Sequence, residues 1–185
     1  KIVWELSRHQ HFVVLAQAYR LTGRREFLRA LERQWLHWIG ANPYQRGIHW
    51  ASALEVGFRA LAWIWALHLC GAELPRAPIV DALGRHGCYL EHNLSFYFSP
   101  NTHLLGEAVA LHAIGAVLAN EKRAARWRDL GAGVVRAQLE RQVRPDGGHF
   151  EQSTYYHLYA LDFFLLHYLL AGRPAAMRPA LERMA

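Results

Sequence analysis

Ser99-Pro100-Asn101-Thr102-His103-Leu104-Leu105-Gly106-Glu107 decides how the chain is read. Ser99 precedes a proline and is pushed toward extended backbone, so no helix runs through it. An apolar run of helical character then begins and continues to about Asn120. Asn101 and Thr102 therefore stand at a helix start, where a side-chain cap belongs. His103 and Glu107 are four apart and share one face of that helix. An amide, an imidazole and a carboxylate would project from one helix mouth. The plain alternative is an N-cap followed by a polar pair on a solvated face.

Outward from this stretch the chain reads as helix after helix. The first helix is expected over Trp4–Leu21, stopped by Thr22-Gly23, and the second over Arg24–Gly40, broken at Asn42-Pro43. The third, Trp50–Cys70, is mostly apolar and carries Glu55 and Arg59 one turn apart. Those two form either an intrahelical ion pair or the polar lining of a central cavity, since buried charges need partners. The fourth helix is expected over Ile79–Phe98, the fifth over Thr102–Asn120, the sixth over Glu121–Val143 and the seventh over Ser153–Ala171, with an eighth opening near Ala175. Gly131 and Gly133 weaken the sixth on propensity grounds. Pro145-Asp146-Gly147-Gly148 is a tight turn, because glycine supplies positive φ. No segment alternates for long as a strand does. Short connections make neighbouring helices antiparallel, and no repeat of the TPR kind stands out. The fold class is all-α, an incomplete (α/α) toroid of antiparallel helical hairpins, with loops gathered at a rim around a concave cavity.

At 185 residues, 52% of them hydrophobic and 19% charged, the chain suits one domain with a sizeable core. It opens directly on a helical pattern, has no basic-then-apolar leader, and stops inside another helix, as a piece of a longer protein would. Residues 1–185 are thus expected to be a single domain of a longer chain. No apolar run reaches the ~18 uncharged residues that cross a bilayer, so no membrane partner is expected. The net charge of +6, before any of the 12 histidines protonates, favours anionic partners. Nucleic acid is excluded as the partner, because the arginines are dispersed and no binding motif occurs; an anionic polysaccharide fits the charge. Cys70 and Cys88 lie outside any CxxC pattern, so neither a metal nor another cofactor is called for.

Asp146-Gly147-Gly148-His149-Phe150-Glu151-Gln152-Ser153-Thr154-Tyr155-Tyr156-His157 is the second polar cluster. It runs from a turn into the first turn of the seventh helix. Gln152-Ser153 reads as a cap, and Tyr159 as part of an aromatic packing face.

Four motifs in order now carry a resemblance. They are Trp4-Glu5-Leu6-Ser7-Arg8; Asn42-Pro43 with Gly47-Ile48-His49-Trp50, Leu54-Glu55 and Arg59; Asn101-Thr102-His103-Leu104 with Gly106-Glu107; and the Asp146–Ser153 segment with Tyr156-His157. Together they resemble the helical N-terminal domain of the heparinase II/III family of polysaccharide lyases. The resemblance implies an (α/α) toroid followed in relatives by a β-sandwich, absent here, and β-elimination on uronic-acid polysaccharides such as heparan sulfate or alginate. It implies periplasmic or secreted residence. It also implies an amide or imidazole that neutralises the uronate carboxylate and a tyrosine that handles protons, with a further base from the missing domain. By position Asn101, with His103 beside it, takes the first role and Tyr156 the second, Tyr155 being the adjacent alternative. Arg8, Trp50, Glu55, Arg59, Glu107, His149, Gln152 and His157 are expected to bind substrate or orient the catalytic groups.

The chemistry asks for these residue types. The C5 proton is poorly acidic because its neighbouring carboxylate already carries charge, and hydrogen bonds to that carboxylate stabilise the enolate-like transition state. A tyrosine with cationic neighbours then serves as acid or base. Two other readings stand beside this one: a glycoside hydrolase using Glu107 and Glu151, whose carboxyls would sit ~5–9.5 Å apart, and a glycan-binding or scaffold domain without catalysis.

Overall fold

The computed structural model describes residues 2–185, and among them the secondary structure is helical apart from one isolated bridge pair, Val143 with His149. The helices are α1 (Ile2–Ser7), α2 (Gln10–Thr22), α3 (Arg25–Ala41), α4 (Ala53–Cys70), α5 (Arg76–Asn93), α6 (Thr102–Val117), α7 (Ala124–Gln142), α8 (Thr154–Leu170) and α9 (Arg178–Met184), with single 3₁₀ turns at Ile48–Trp50 and Ala175–Met177.

Two layers follow from who touches whom. The hairpin partners α2–α3, α4–α5, α6–α7 and α8–α9 pack together, and so do the next-nearest neighbours α2–α4, α4–α6 and α6–α8. Helices α2, α4, α6 and α8 therefore form one parallel inner layer, while α3, α5 and α7 return along its back. This is an incomplete α/α toroid. The inner helices are the greasy ones, since two layers of neighbours must be satisfied: α6 is buried almost throughout. Helix α4 is long and apolar enough to pass as a membrane span on composition, but two thirds of it is buried against its neighbours. The core centres on Trp35, Trp63 and Trp127, none of which reaches solvent.

Close approach explains a glycine that propensity alone counts as a weakness. A Cβ on Gly131 of α7 would lie 2.5 Å from the Ala108 carbonyl oxygen and 2.6 Å from the His112 nitrogen of α6. The two backbones touch there, and no larger residue fits. Gly147, at φ +90°, lets the α7–α8 turn lie against α9, where a Cβ would fall 2.0 Å from the Arg183 carbonyl oxygen.

Several boundaries differ from the sequence expectation, three of them with a clear physical cause. Trp4–Leu21 is two helices, because His9 takes left-handed backbone (φ 56°). Its buried ring stacks on Phe12 at 4.3 Å and accepts a 2.8 Å hydrogen bond from the Trp63 indole, tertiary bonds that override local propensity. The Trp50–Cys70 helix starts later, at Ala53, after extended Ser52. The fourth helix stops at Asn93, whose side-chain amide caps the Tyr89 carbonyl at 2.8 Å, and so Leu94–Pro100 is a loop.

Candidate functional site

The parallel inner layer sends the N-termini of α2, α4, α6 and α8 to one rim. Side chains from these ends meet each other. Arg8, just before α2, grips Glu55 in the first turn of α4 through Nε at 2.7 Å and Nη2 at 2.8 Å. Phe58 of α4 faces Tyr159 of α8 with ring centroids 5.7 Å apart. Asn101, the cap of α6, donates from Nδ2 to Glu151 Oε1, just before α8, at 3.3 Å. Unpaired N–H groups and aligned peptide dipoles give such a rim a positive bias, which suits an anionic ligand.

The three residues assigned catalytic roles sit on adjacent helix ends. Asn101 Oδ1 accepts from the His103 N–H at 3.0 Å, the ordinary N-cap bond. With Oδ1 committed to the cap and Nδ2 to Glu151, the amide has one orientation. His103 follows in the first turn, half-buried, its ring making no hydrogen bond to a described residue. Tyr156 stands in the first turn of α8, where its N–H is capped by Ser153 Oγ at 3.4 Å. The residue is 43% exposed, and its phenol makes no hydrogen bond to a described residue. Tyr155 is more exposed and stacks on Tyr159 at 5.8 Å. Tyr159 belongs to the aromatic face, with Phe58 and Phe163, and burial pushes its hydroxyl up to about 12, so it stays protonated.

Behind Asn101 runs a buried polar chain. His149 Nε2 bonds Gln142 Oε1 at 3.0 Å, and Gln142 Nε2 donates to Gln138 Oε1 at 2.8 Å. His149 Nδ1 accepts from the Glu151 N–H at 3.4 Å, so its proton sits on Nε2. Burial lowers the His149 pKa and keeps the ring neutral. His157 takes the His149 N–H on Nδ1 at 3.3 Å and donates from Nε2 to the Met184 carbonyl at 2.7 Å. His149 and His157 thus brace the turn that carries Glu151. Gln152 is exposed in left-handed backbone (φ 54°), an uncommon state for a residue with a Cβ; the cap is Ser153.

Arg59 and Trp50 stand apart from this group. The Glu55–Arg59 ion pair, one of the two arrangements open from the sequence, does not form, because Arg8 takes Glu55. Arg59 is wholly buried and donates to His86 Nε2 (2.9 Å), Ser7 Oγ (3.0 Å) and the His49 carbonyl (3.1 Å). Its guanidinium lies over Trp38 at 4.4 Å and Trp50 at 5.2 Å. Desolvation brings the Arg59 pKa down to about 9 and holds His86 neutral. Trp50 is packed inside with His86 and Tyr89, and the Tyr89 hydroxyl donates to its carbonyl. Both residues pin α1, α4, α5 and the Ile48–Trp50 turn together from within, out of reach of a polymer on the surface. Glu107 is also sealed, at 1% exposure, with its two oxygens accepting from the Ser95 N–H and Oγ–H at 2.7 Å each. It ties the loop before α6 to α6 itself.

The exposed loop Ser95–Pro100 and the tie from Glu151 to Asn101 go beyond the sequence expectation. Phe96-Tyr97-Phe98 counted as the end of an apolar helix; Asn93, able to cap the helix behind it, was the available signal. Among the described residues no three His, Cys, Asp or Glu side chains gather as a metal site would require.

Comparison with known proteins agrees on the kind of molecule. A heparin-sulfate lyase of Bacteroides stercoris is 27% identical over 183 residues, covering 87% of this chain and 28% of the relative. A heparin-sulfate lyase of Pedobacter heparinus is 27% identical over 180 residues, covering 94% and 27%. Among solved structures, a heparinase III superposes with TM-score 0.82 at 22% identity over 97% of this chain and 29% of that one. A heparan sulfate lyase from Pedobacter heparinus gives 0.77 at 27% identity, over 98% and 30%. The chain therefore spans under a third of the length of these relatives. The family described as Heparinase II/III N-terminus matches residues 1–177, and with nearly the whole sequence matched, the chain belongs to that family.

Proposed function

We propose that this chain is the helical part of a polysaccharide lyase that cleaves uronate-containing polymer by β-elimination. The observation that carries the reading is the Asn101 amide, fixed between the His103 N–H and Glu151, on a helix end adjacent to the one bearing the exposed phenol of Tyr156. In the reaction C5 loses a proton, the electron pair is held by the uronate carboxylate, and the C4–O bond breaks as a C4=C5 double bond forms. The leaving oxygen takes a proton. Asn101 donates to the carboxylate, where charge develops, at a rim already biased positive. His103 is beside it as a second donor. Tyr156 delivers the proton to the leaving oxygen; general acid–base help of this kind is worth about 10²–10⁴-fold. A further base comes from the remainder of a longer protein, as do the remaining walls of the groove. Heparan sulfate is the first substrate to try, given what the relatives are called, and such a polymer places the enzyme in the periplasm or outside the cell.

The hydrolase alternative loses its carboxylate pair. Glu107 spends both oxygens on Ser95 inside the protein and has no path to a sugar. The test is the full-length protein incubated with heparan sulfate, hyaluronan and alginate and read by the ultraviolet absorbance of the unsaturated product. Absorbance growth that Asn101→Ala and Tyr156→Phe both abolish supports the assignment. Chain cleavage without absorbance growth refutes it.

A further inference from the structure

Seven Trp, Phe and Tyr side chains are exposed among the described residues. Six of them cluster at two helix starts: Phe96, Tyr97 and Phe98 in the loop before α6, Phe150 in the turn before α8, and Tyr155 and Tyr156 in the first turn of α8; only Trp65 lies elsewhere. Tyr97 is 100% exposed and Phe98 93%. A connection that only had to turn the chain would not hold consecutive rings in water, where each exposes a large apolar area.

The loop beneath these rings is anchored. Ser95 bonds Glu107 twice, the Ser99 N–H reaches the Ser95 carbonyl at 3.3 Å, and the Asn101 N–H reaches the Ser99 carbonyl at 2.8 Å. Pro100 restricts the backbone just before the cap. Its base is thus fixed to the same helix end that carries Asn101. Phe98 and Asn101 are three residues apart, so their Cα atoms lie within about 11 Å whatever the loop's path.

From this juxtaposition we infer that Tyr97 and Phe98 form a stacking platform for a pyranose ring of the polysaccharide, a subsite flanking the position where the bond is broken. A pyranose presents an apolar C–H face, which packs on an aromatic ring, and keeps its hydroxyls and anionic groups at the edge in water. Phenyl and phenol rings make no demand on sulfation or carboxylate position. The platform therefore grips the chain irrespective of decoration, while Asn101 and its neighbours read the uronate. A glycan is the occupant favoured by continuity, because the rings share a rim and an anchored loop with the residues assigned to the chemistry. The inference rests on the proposed substrate class, and its test separates the two.

The test uses the full-length protein, its Tyr97→Ala/Phe98→Ala double variant, and Trp65→Ala as an exposed-ring control. Binding is measured without turnover, by retardation in native gels containing heparan sulfate, hyaluronan or alginate, and KM and kcat are measured on any polymer that is cleaved. The expected result is a roughly tenfold weaker retardation of the double variant on the polymer that retards the wild type. KM should rise by a similar factor with kcat within about twofold, and Trp65→Ala should match the wild type. Retardation of the wild type without unsaturated product would refute the lyase reading and leave the platform standing on the binding result. Retardation of the wild type by none of the three polymers, or of both proteins equally, overturns the platform. So does a double variant that melts several degrees lower, because the rings would then be packed against protein instead of sugar.

Discussion

Replacing Glu107 by glutamine should leave the proposed lyase activity of the full-length protein intact and make the protein more stable at alkaline pH. Burial raises the Glu107 carboxyl from 4.5 to about 7, against the opposing pull of two hydrogen bonds from Ser95. A folded-state value above the unfolded one means that the native protein binds the proton more tightly. This group's contribution is therefore complete below about pH 4.5 and is lost as pH rises to about 7. At about 1.4 kcal/mol per unit, the loss amounts to about 3 kcal/mol for the wild type at pH 8. Glutamine keeps both contacts, its Nε2 donating to Ser95 Oγ and its Oε1 accepting from the Ser95 N–H, and carries no charge to desolvate. Urea unfolding followed by circular dichroism should show Glu107→Gln matching the wild type near pH 4.5 and exceeding it by up to about 3 kcal/mol at pH 8. Lyase activity should change less than about threefold, well short of the 10²-fold and larger losses that follow removal of a catalytic acid or base. A variant that is less stable at pH 8, or that has lost activity by orders of magnitude, refutes the placement of Glu107 as a buried loop anchor.

Arg59→Met leaves the buried acceptors on Ser7, His49 and His86 without their shared donor and should cost about 1–3 kcal/mol, as stranded buried polar groups do, measured by the same unfolding assay. Gly131→Ala drives a methyl group into the α6 backbone and should cost about 1–3 kcal/mol, as overpacking does, with the loss visible in the melting temperature. Glu151→Ala releases the Asn101 amide while leaving the α6 cap intact. It should lower kcat roughly tenfold or more, since small misplacements of a positioning group are costly, with circular dichroism unchanged; unaltered kcat would show that the amide needs no such tether.

The layering of this fold was legible because its signals are local. Pro43, Gly71, Pro75, Pro100 and Gly172 punctuate the chain, and the apolar runs between them have helical spacing. What escaped depended on distant partners. The break at His9 is held by Trp63, and the separation of Glu55 from Arg59 is imposed by Arg8. Neither partner is near in sequence. The end of α5 was misplaced because aromatic residues extend an apolar pattern whether or not they are covered. Gly131 looked like a weak point because propensity does not register the approach of a second helix. The Asn101, His103 and Tyr156 positions came from motifs; the chain could not announce that Glu151, fifty residues from Asn101, would orient its amide.

The central claim is that Asn101 and Tyr156 act on one uronate ring. The most direct measurement is the rate of unsaturated-product formation by the full-length protein on heparan sulfate, hyaluronan and alginate, compared with Asn101→Ala and Tyr156→Phe. The wild type should turn over at least one polymer, with a loss of about 10²-fold or more in each variant. Turnover that survives both substitutions at near wild-type rate would contradict it.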